Sequence, residues 1–209
     1  GTIKFEGAMI LQVRSKGAVP LLMAESSHQQ NVRAIARFDT AKLDELDASA
    51  QRLKLDQLCE EGTLAITIDP VRGERYQSLV PLQGGDLASC LEHYFIQSEQ
   101  LQTWFKLSAN QTSAAGFLIQ QLPPQLMKDP IARLQQWQHV LALGQSLQLE
   151  ELLGLEVSKL LTRLYPHELV RLYSAEAVTF ECSCSEERTA RALKLLGGAE
   201  LESMWEERS

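Results

Sequence analysis

The sequence predicts an α+β fold: an antiparallel-rich sheet domain with one inserted helix, then a helical leucine-rich segment, then a short cysteine-bearing end. Three observations predict it. Apolar runs that are short and extended, several with strict period-two alternation, fill residues 1–82. Leucines at helical spacing dominate after Pro123-Pro124. Strands and helices do not alternate regularly along the chain, which argues against a doubly wound parallel sheet.

The elements follow in order. Ala8–Val13 is a first strand and Ser15-Lys16-Gly17 a turn. Val19–Ala24 is a second run, which Pro20 pushes toward a sheet edge. Val32–Phe38 alternates, with Val32, Ala34, Ala36 and Phe38 on one face and Arg33 and Arg37 on the other. Thr63–Ile68 and Arg75–Val80 flank the turn sequence Asp69–Glu74 and predict a hairpin. Gly84-Gly85-Asp86 breaks the sheet. Asp86 caps a helix whose apolar face is Leu87, Leu91, Tyr94 and Phe95, running to Gln100. Thr103–Leu107 and Ala114–Leu122 are two further strands joined by the polar loop Ser108–Thr112.

Past the proline pair, Asp129 caps a helix with Pro130 at its first position. Its expected apolar face is Ile131, Leu134, Trp137 and Leu141, and Gly144 is its expected stop. Leucines from Leu147 to Leu164 predict short amphipathic helices broken at Gly154 and Pro166. Val178-Thr179-Phe180 is a short strand. A last helix spans Ser185–Leu196, with Ser185 as its cap and Glu186 and Glu187 favouring its N-terminus.

Composition narrows the function classes. The 209 residues are 44% apolar, enough for a core and for one or two domains. A net charge of −7 argues against a general polyanion binder. No apolar run approaches a membrane span and no signal peptide is visible, although the chain opens at Gly1 without an initiator Met. Four irregularly spaced cysteines do not form a secreted disulfide framework, so the expected compartment is the cytoplasm, with thiols reduced at rest.

The densest chemistry is Phe180-Glu181-Cys182-Ser183-Cys184-Ser185-Glu186-Glu187-Arg188. Two thiols one residue apart can share a thiophilic ion or oxidise together, and the predicted helix N-terminus beside them favours thiolate. A disulfide across one residue is geometrically tight and easily reduced, which suits a switch better than a staple. The same spacing also fits two incidental buried thiols, a reading that the polar neighbours disfavour. Tetrahedral zinc needs four ligands, and no second close-spaced cysteine pair follows before Ser209. Cys59 and Cys90 lie among apolar residues and are expected to be small core hydrophobes. His28, His93, His139 and His167 show no ligand spacing, and Asp44-Glu45 and Glu150-Glu151 are expected on solvated helix faces. No phosphate loop, nucleophile elbow or zincin motif is present. The leucine-rich stretch Leu147–Leu172 fits an ordinary packing layer; released, it would expose apolar surface able to hold unfolded chains.

Several stretches together resemble the heat-shock protein 33 family of bacterial redox-regulated chaperones. Gly73-Glu74-Arg75-Tyr76-Gln77 and Gly84–Leu101 look like that family's central block, with Glu92-His93-Tyr94-Phe95 and Ser98-Glu99-Gln100 the most specific part. Glu151-Leu152-Leu153 and Leu160–Tyr165 resemble its linker, and Phe180-x-Cys182-x-Cys184-Ser185-x-x-Arg188 the start of its redox domain. The similarity runs from Ile3 to Leu196.

The resemblance implies three parts: a sheet-based chaperone core over residues 1–123, a helical linker over 124–177, and a partial redox-switch domain over 178–209. It implies an ATP-independent holdase, not an enzyme, that binds unfolded or oxidatively damaged proteins in the stress response. The family is activated by disulfide formation and zinc release, and forms a homodimer. It also implies further elements before Thr2 and a Cys-x-x-Cys pair about thirty residues after the first pair, completing a four-thiolate zinc site. Only 25 residues follow Cys184, so the chain is expected to be truncated at both ends. Cys182 and Cys184 then carry the redox role and two of four zinc ligands. Zinc belongs to the intact reduced protein and is expected to be absent from this chain. The resemblance leaves the client-binding surface unassigned. Two other classes remain in view: a thiol–disulfide oxidoreductase using the Cys-x-Cys pair, disfavoured by the missing Cys-x-x-Cys and βαβ context, and a zinc-ribbon nucleic-acid module, disfavoured by the acidic balance. Neither nucleic acid nor membrane is an expected partner.

Overall fold

The computed structural model describes residues 6–46, 53–121, 129–182, 186, 190, 193 and 194. It is a mixed α+β structure with two sheets and several helices. The larger sheet has six strands: β1 (Gly7–Arg14), β2 (Leu21–Ser27), β3 (Asn31–Arg37), β4 (Thr63–Pro70), β5 (Tyr76–Pro81) and β8 (Thr179–Phe180), in the order β5-β4-β1-β2-β3-β8. All pairings are antiparallel except β3 with β8. The second sheet is the hairpin of β6 (Thr103–Ala109) and β7 (Ala114–Gln120).

Pairing register explains where the core sits. Val13 faces Leu22 on one side and Leu64 on the other, and Leu64 faces Val80, so one apolar face runs across four strands. Helix α3 (Leu87–Tyr94) lies on it, capped as predicted by Asp86, whose carboxylate accepts from Ser89 N–H. Val13, Val19, Leu64, Ile66 and Val80 pack there with Cys59, Cys90, Leu91 and Tyr94. The predicted helix to Gln100 continues past Tyr94 as a π-helical turn over Phe95–Glu99 and ends with Gln100 in the left-handed region. Phe105 stacks on Phe95 at 5.6 Å, and Glu92 Oε1 accepts from Phe105 N–H at 2.9 Å, joining α3 to β6.

The hairpin is apolar on both faces. Phe105 and Leu107 join the first core; Phe117 and Ala115, on the opposite face, join a second. That second core holds Leu147, Leu152, Leu160, Leu164 and Tyr165, supplied by α4 (Pro130–Gln145), α5 (Leu149–Gly154), α6 (Val157–Leu164) and their connections. Arg163 ties α6 back to Glu151 of α5 and to the Ser146 carbonyl. The leucine-rich segment is therefore a packed helical layer against the hairpin.

Four expectations need correction. The sheet region carries more than one helix: α1 (Thr40–Glu45) and α2 (Leu55–Leu58) precede α3, too short to show an apolar period. Pro20 does not mark an edge, since β2 begins at Leu21 and lies between β1 and β3. Gly144 does not stop α4. It is buried one residue before the helix end, where a Cβ would stand 2.3 Å from Ile119 Cδ1, so its smallness lets the helix approach β7. The packed side of α4 is formed by half-buried Val140 and Leu143 with Gly144, while Ile131 and Leu134 are exposed. Of the predicted helix over 185–196, residues 186, 190, 193 and 194 are helical, and the others, with the expected cap Ser185, lie outside the described residues.

Candidate functional site

After α6 the chain leaves the second core. Tyr165 is buried and donates its hydroxyl to the Val140 carbonyl, and His139 Nε2 meets Glu168 Oε1 at 2.8 Å. Residues 169–178 have no regular structure and expose Leu169, Leu172, Tyr173 and Val178. Arg171 lies 4.9 Å above the Tyr173 ring. Such a run of exposed apolar side chains is uncommon on a surface and marks an interaction region.

The chain then returns to the sheet. β-branched and aromatic residues at Val178-Thr179-Phe180 favour extended backbone, and Thr179–Phe180 adds to the outer edge of β3 in parallel register, Asn31 beside Thr179 and Val32 beside Phe180. Thr179 N–H donates to the Gln30 carbonyl at 3.1 Å and Glu181 N–H to the Val32 carbonyl at 3.2 Å. The Asn31 carboxamide donates to the Glu181 carboxylate. The chain just before Cys182 is thus anchored to the far edge of the sheet.

Beside this edge the sheet face that α3 covers elsewhere is left uncovered by the described residues. Met9, Leu11, Ala24, Val32, Ala34 and Phe180 border a groove of about 460 Å³. It shares Leu11, Ala24 and Ala34 with a second hollow of about 310 Å³ that reaches Leu87. Alanines at facing positions 24 and 34 keep the floor low. The alternation Val32, Ala34, Ala36 predicted this face; that no helix among the described residues covers it was not legible.

The structure places Cys182 at the surface and Cys59 and Cys90 together in the first core. Cys182 is exposed, two residues beyond Phe180. Cys184, the other predicted redox and ligand residue, lies outside the described residues. Cys59 and Cys90 are buried as expected. Burial pushes the Cys59 thiol up, and burial together with the Asp86 and Asp56 carboxylates pushes Cys90 up to about 11. Two pKa units leave about one hundredth of the thiolate of an ordinary exposed cysteine, and thiolate is the reactive form. Alkylation of the reduced native chain at neutral pH is therefore expected to modify exposed Cys182 before buried Cys90. Mass mapping that finds equal rates would overturn this.

Among the described residues no group of three or more His, Cys, Asp or Glu could hold a metal ion. Of the two predicted zinc ligands only Cys182 is described, so the residues on view do not constitute a zinc site. Also among the described residues, no helix is long and apolar enough to cross a membrane.

Comparison with known proteins decides the family. The model of the family described as Hsp33 protein matches residues 1–209. The chain belongs to the Hsp33 family. Hsp33 relatives include the 33 kDa chaperonin of Pseudomonas aeruginosa, 49% identical over 207 residues, covering 99% of this chain and 68% of that protein. The 33 kDa chaperonin of Azotobacter vinelandii is 48% identical over 208 residues, covering 100% and 68%. The crystal structure of an Hsp33 homologue, the 33 kDa chaperonin of Thermotoga maritima, aligns with a TM-score of 0.73 at 21% identity, covering 98% of this chain and 70% of that one. That likeness shows the shared fold.

Proposed function

We propose that this Hsp33 chain is a redox-regulated, ATP-independent holdase that binds unfolded proteins during oxidative stress in the cytoplasm. Family membership supports a chaperone function, and its relatives are named chaperonins, consistent with a protein that is not an enzyme. The observation that carries the finer reading is the placement of an exposed thiol at the end of an exposed apolar run, beside an open apolar sheet face. Apolar surface that both partners remove from water is a sufficient driving force for holding non-native chains without nucleotide.

The proposed division is a sheet core over 1–123, a helical linker over 124–177 and a redox segment from 178. In it, Cys182 and Cys184 are the redox pair. Peroxide would join their sulfurs, two thiols giving one disulfide and two waters. The two are also proposed as two of four zinc ligands in the intact protein, which we further propose to be a homodimer. Strain or reordering in the segment after Phe180 would then act on β8 and the extended run before it, since they are continuous in the chain.

The test is suppression of aggregation. The full-length protein, reduced or peroxide-treated, is mixed with a client diluted from guanidinium, and light scattering is followed. Oxidation is expected to lower the concentration needed for half-suppression at least about tenfold. Equal suppression in both states would remove the redox reading. Catalytic turnover of a disulfide substrate, without suppression, would install the oxidoreductase reading instead.

A further inference from the structure

β3 is the last full strand of the sheet, and its outer side is only partly used. β8 pairs with Asn31 and Val32 alone, two of seven residues. In a strand, successive backbone groups point to opposite sides. Gln30 and Val32 carbonyls point outward, as their bonds to Thr179 and Glu181 show, so the next outward groups belong to Ala34 and Ala36. Both residues are exposed, and among the described residues no strand lies outside them. Arg33 and Arg37 carry their charge on the other face of the sheet and β3 contains no proline, so the edge at Ala34–Ala36 is a template for strand addition.

The edge does not stand alone. The side chains of Val32, Ala34 and Ala36 share a face with Leu11 and Ala24 and floor the apolar trough, which runs from Phe180 toward Leu87. A backbone ladder and an apolar trough side by side are the two parts of strand-addition recognition: main-chain bonds supply sequence-independent affinity, and the trough takes every second side chain. The chain itself shows the mode. Thr179–Phe180 is seated as an added strand, with the Phe180 ring at the trough's end.

We propose that the outer edge of β3 and this trough bind extended, apolar segments of unfolded polypeptides by strand addition, and that Thr179–Phe180 is an internal occupant which such segments displace. This rests on the holdase reading and names the surface it uses. Sequence independence follows, since the ladder bonds are main chain to main chain. So does regulation: with only two paired residues and an exposed Asn31–Glu181 contact, β8 is held weakly enough to yield.

Amide exchange on the oxidised full-length protein tests it, using reduced, carbamidomethylated α-lactalbumin as a client that cannot refold. Client binding is expected to slow exchange at Ala34 and Ala36 at least fivefold, by roughly the extent to which an added strand shields outward amides. The Ile35 amide, which points toward β2, is expected to stay as it was. Ala34→Pro, which removes an outward N–H while leaving the β2 ladder intact, is expected to raise the client Kd about tenfold. The double variant Asn31→Ala, Phe180→Ala is expected to lower it about fivefold. Client bound without protection at Ala34 and Ala36 overturns the proposal and leaves the holdase reading standing. Should the oxidised protein bind no client at all, the holdase reading falls and this surface assignment with it. If Ala34→Pro unfolds, the exchange measurement on the unmodified chain still decides.

Discussion

Leu164→Ala is expected to loosen the helical layer while leaving the large sheet intact. Leu164 is buried to 2% exposure in the second core, against Leu147, which is fully buried. Deleting three carbons there loses their transfer energy and leaves a cavity that α4, β7 and α5 cannot close, a cost of about 3 kcal/mol. Among the described residues the hairpin contributes one face to each core and the two clusters share no residue, so the cost is borne locally. Amide exchange in α5 and α6 is expected to accelerate about 100-fold, the factor that 3 kcal/mol implies, with β1 and β4 unchanged. Acceleration spread equally over β4 would show one cooperative unit and refute the two-core description. In the holdase reading the reduced variant gains client binding, because released helices expose Leu152 and Leu160.

Gly17→Ala is expected to destabilise the sheet itself. The turn after β1 docks on the backbone around Leu58: Lys16 N–H donates to the Glu60 carbonyl at 2.9 Å and Val19 N–H to the Leu58 carbonyl at 2.8 Å. A Cβ on Gly17 would stand 2.4 Å from the Leu58 oxygen and 2.6 Å from the Glu60 nitrogen. These are main-chain atoms with no rotamer to change, so the turn must lift and both hydrogen bonds stretch. The cost is about 3 kcal/mol, which in a chain of this size lowers Tm by about 6–12 °C. A calorimetric drop under about 2 °C would mean that the turn docks loosely. Gly154, where a Cβ meets nothing within 4 Å, is the control and should tolerate alanine.

Much of this was readable before any coordinates. Asp86 and Asp129 cap their helices as their chemistry dictates, each accepting from backbone N–H groups of the first turn. The Thr63–Ile68 alternation became β4, and of the segment at Val178–Phe180 the last two residues became β8. Gly144 was misread because a glycine near a helix end signals either a stop or a close approach, and only Ile119 across the gap tells which. The short helices α1 and α2 escaped because four to six residues carry less than two turns of period. The strand after Pro20 proved interior, since strand order depends on which strands pair across the sheet.

For this protein the residues alone determined most of the strands and the longer helices, the two buried thiols and the family, because each depends on local chemistry: a cap, an alternation, a short motif. Only the tertiary structure decided that the strand before Cys182 docks on β3, that the hairpin divides two cores, and that Ala24, Ala34 and Ala36 floor an open trough. Those are contacts between residues as much as 150 positions apart, as Asn31 and Glu181 are. A period of two marks a face as apolar; what lies over that face is set by where the rest of the chain goes.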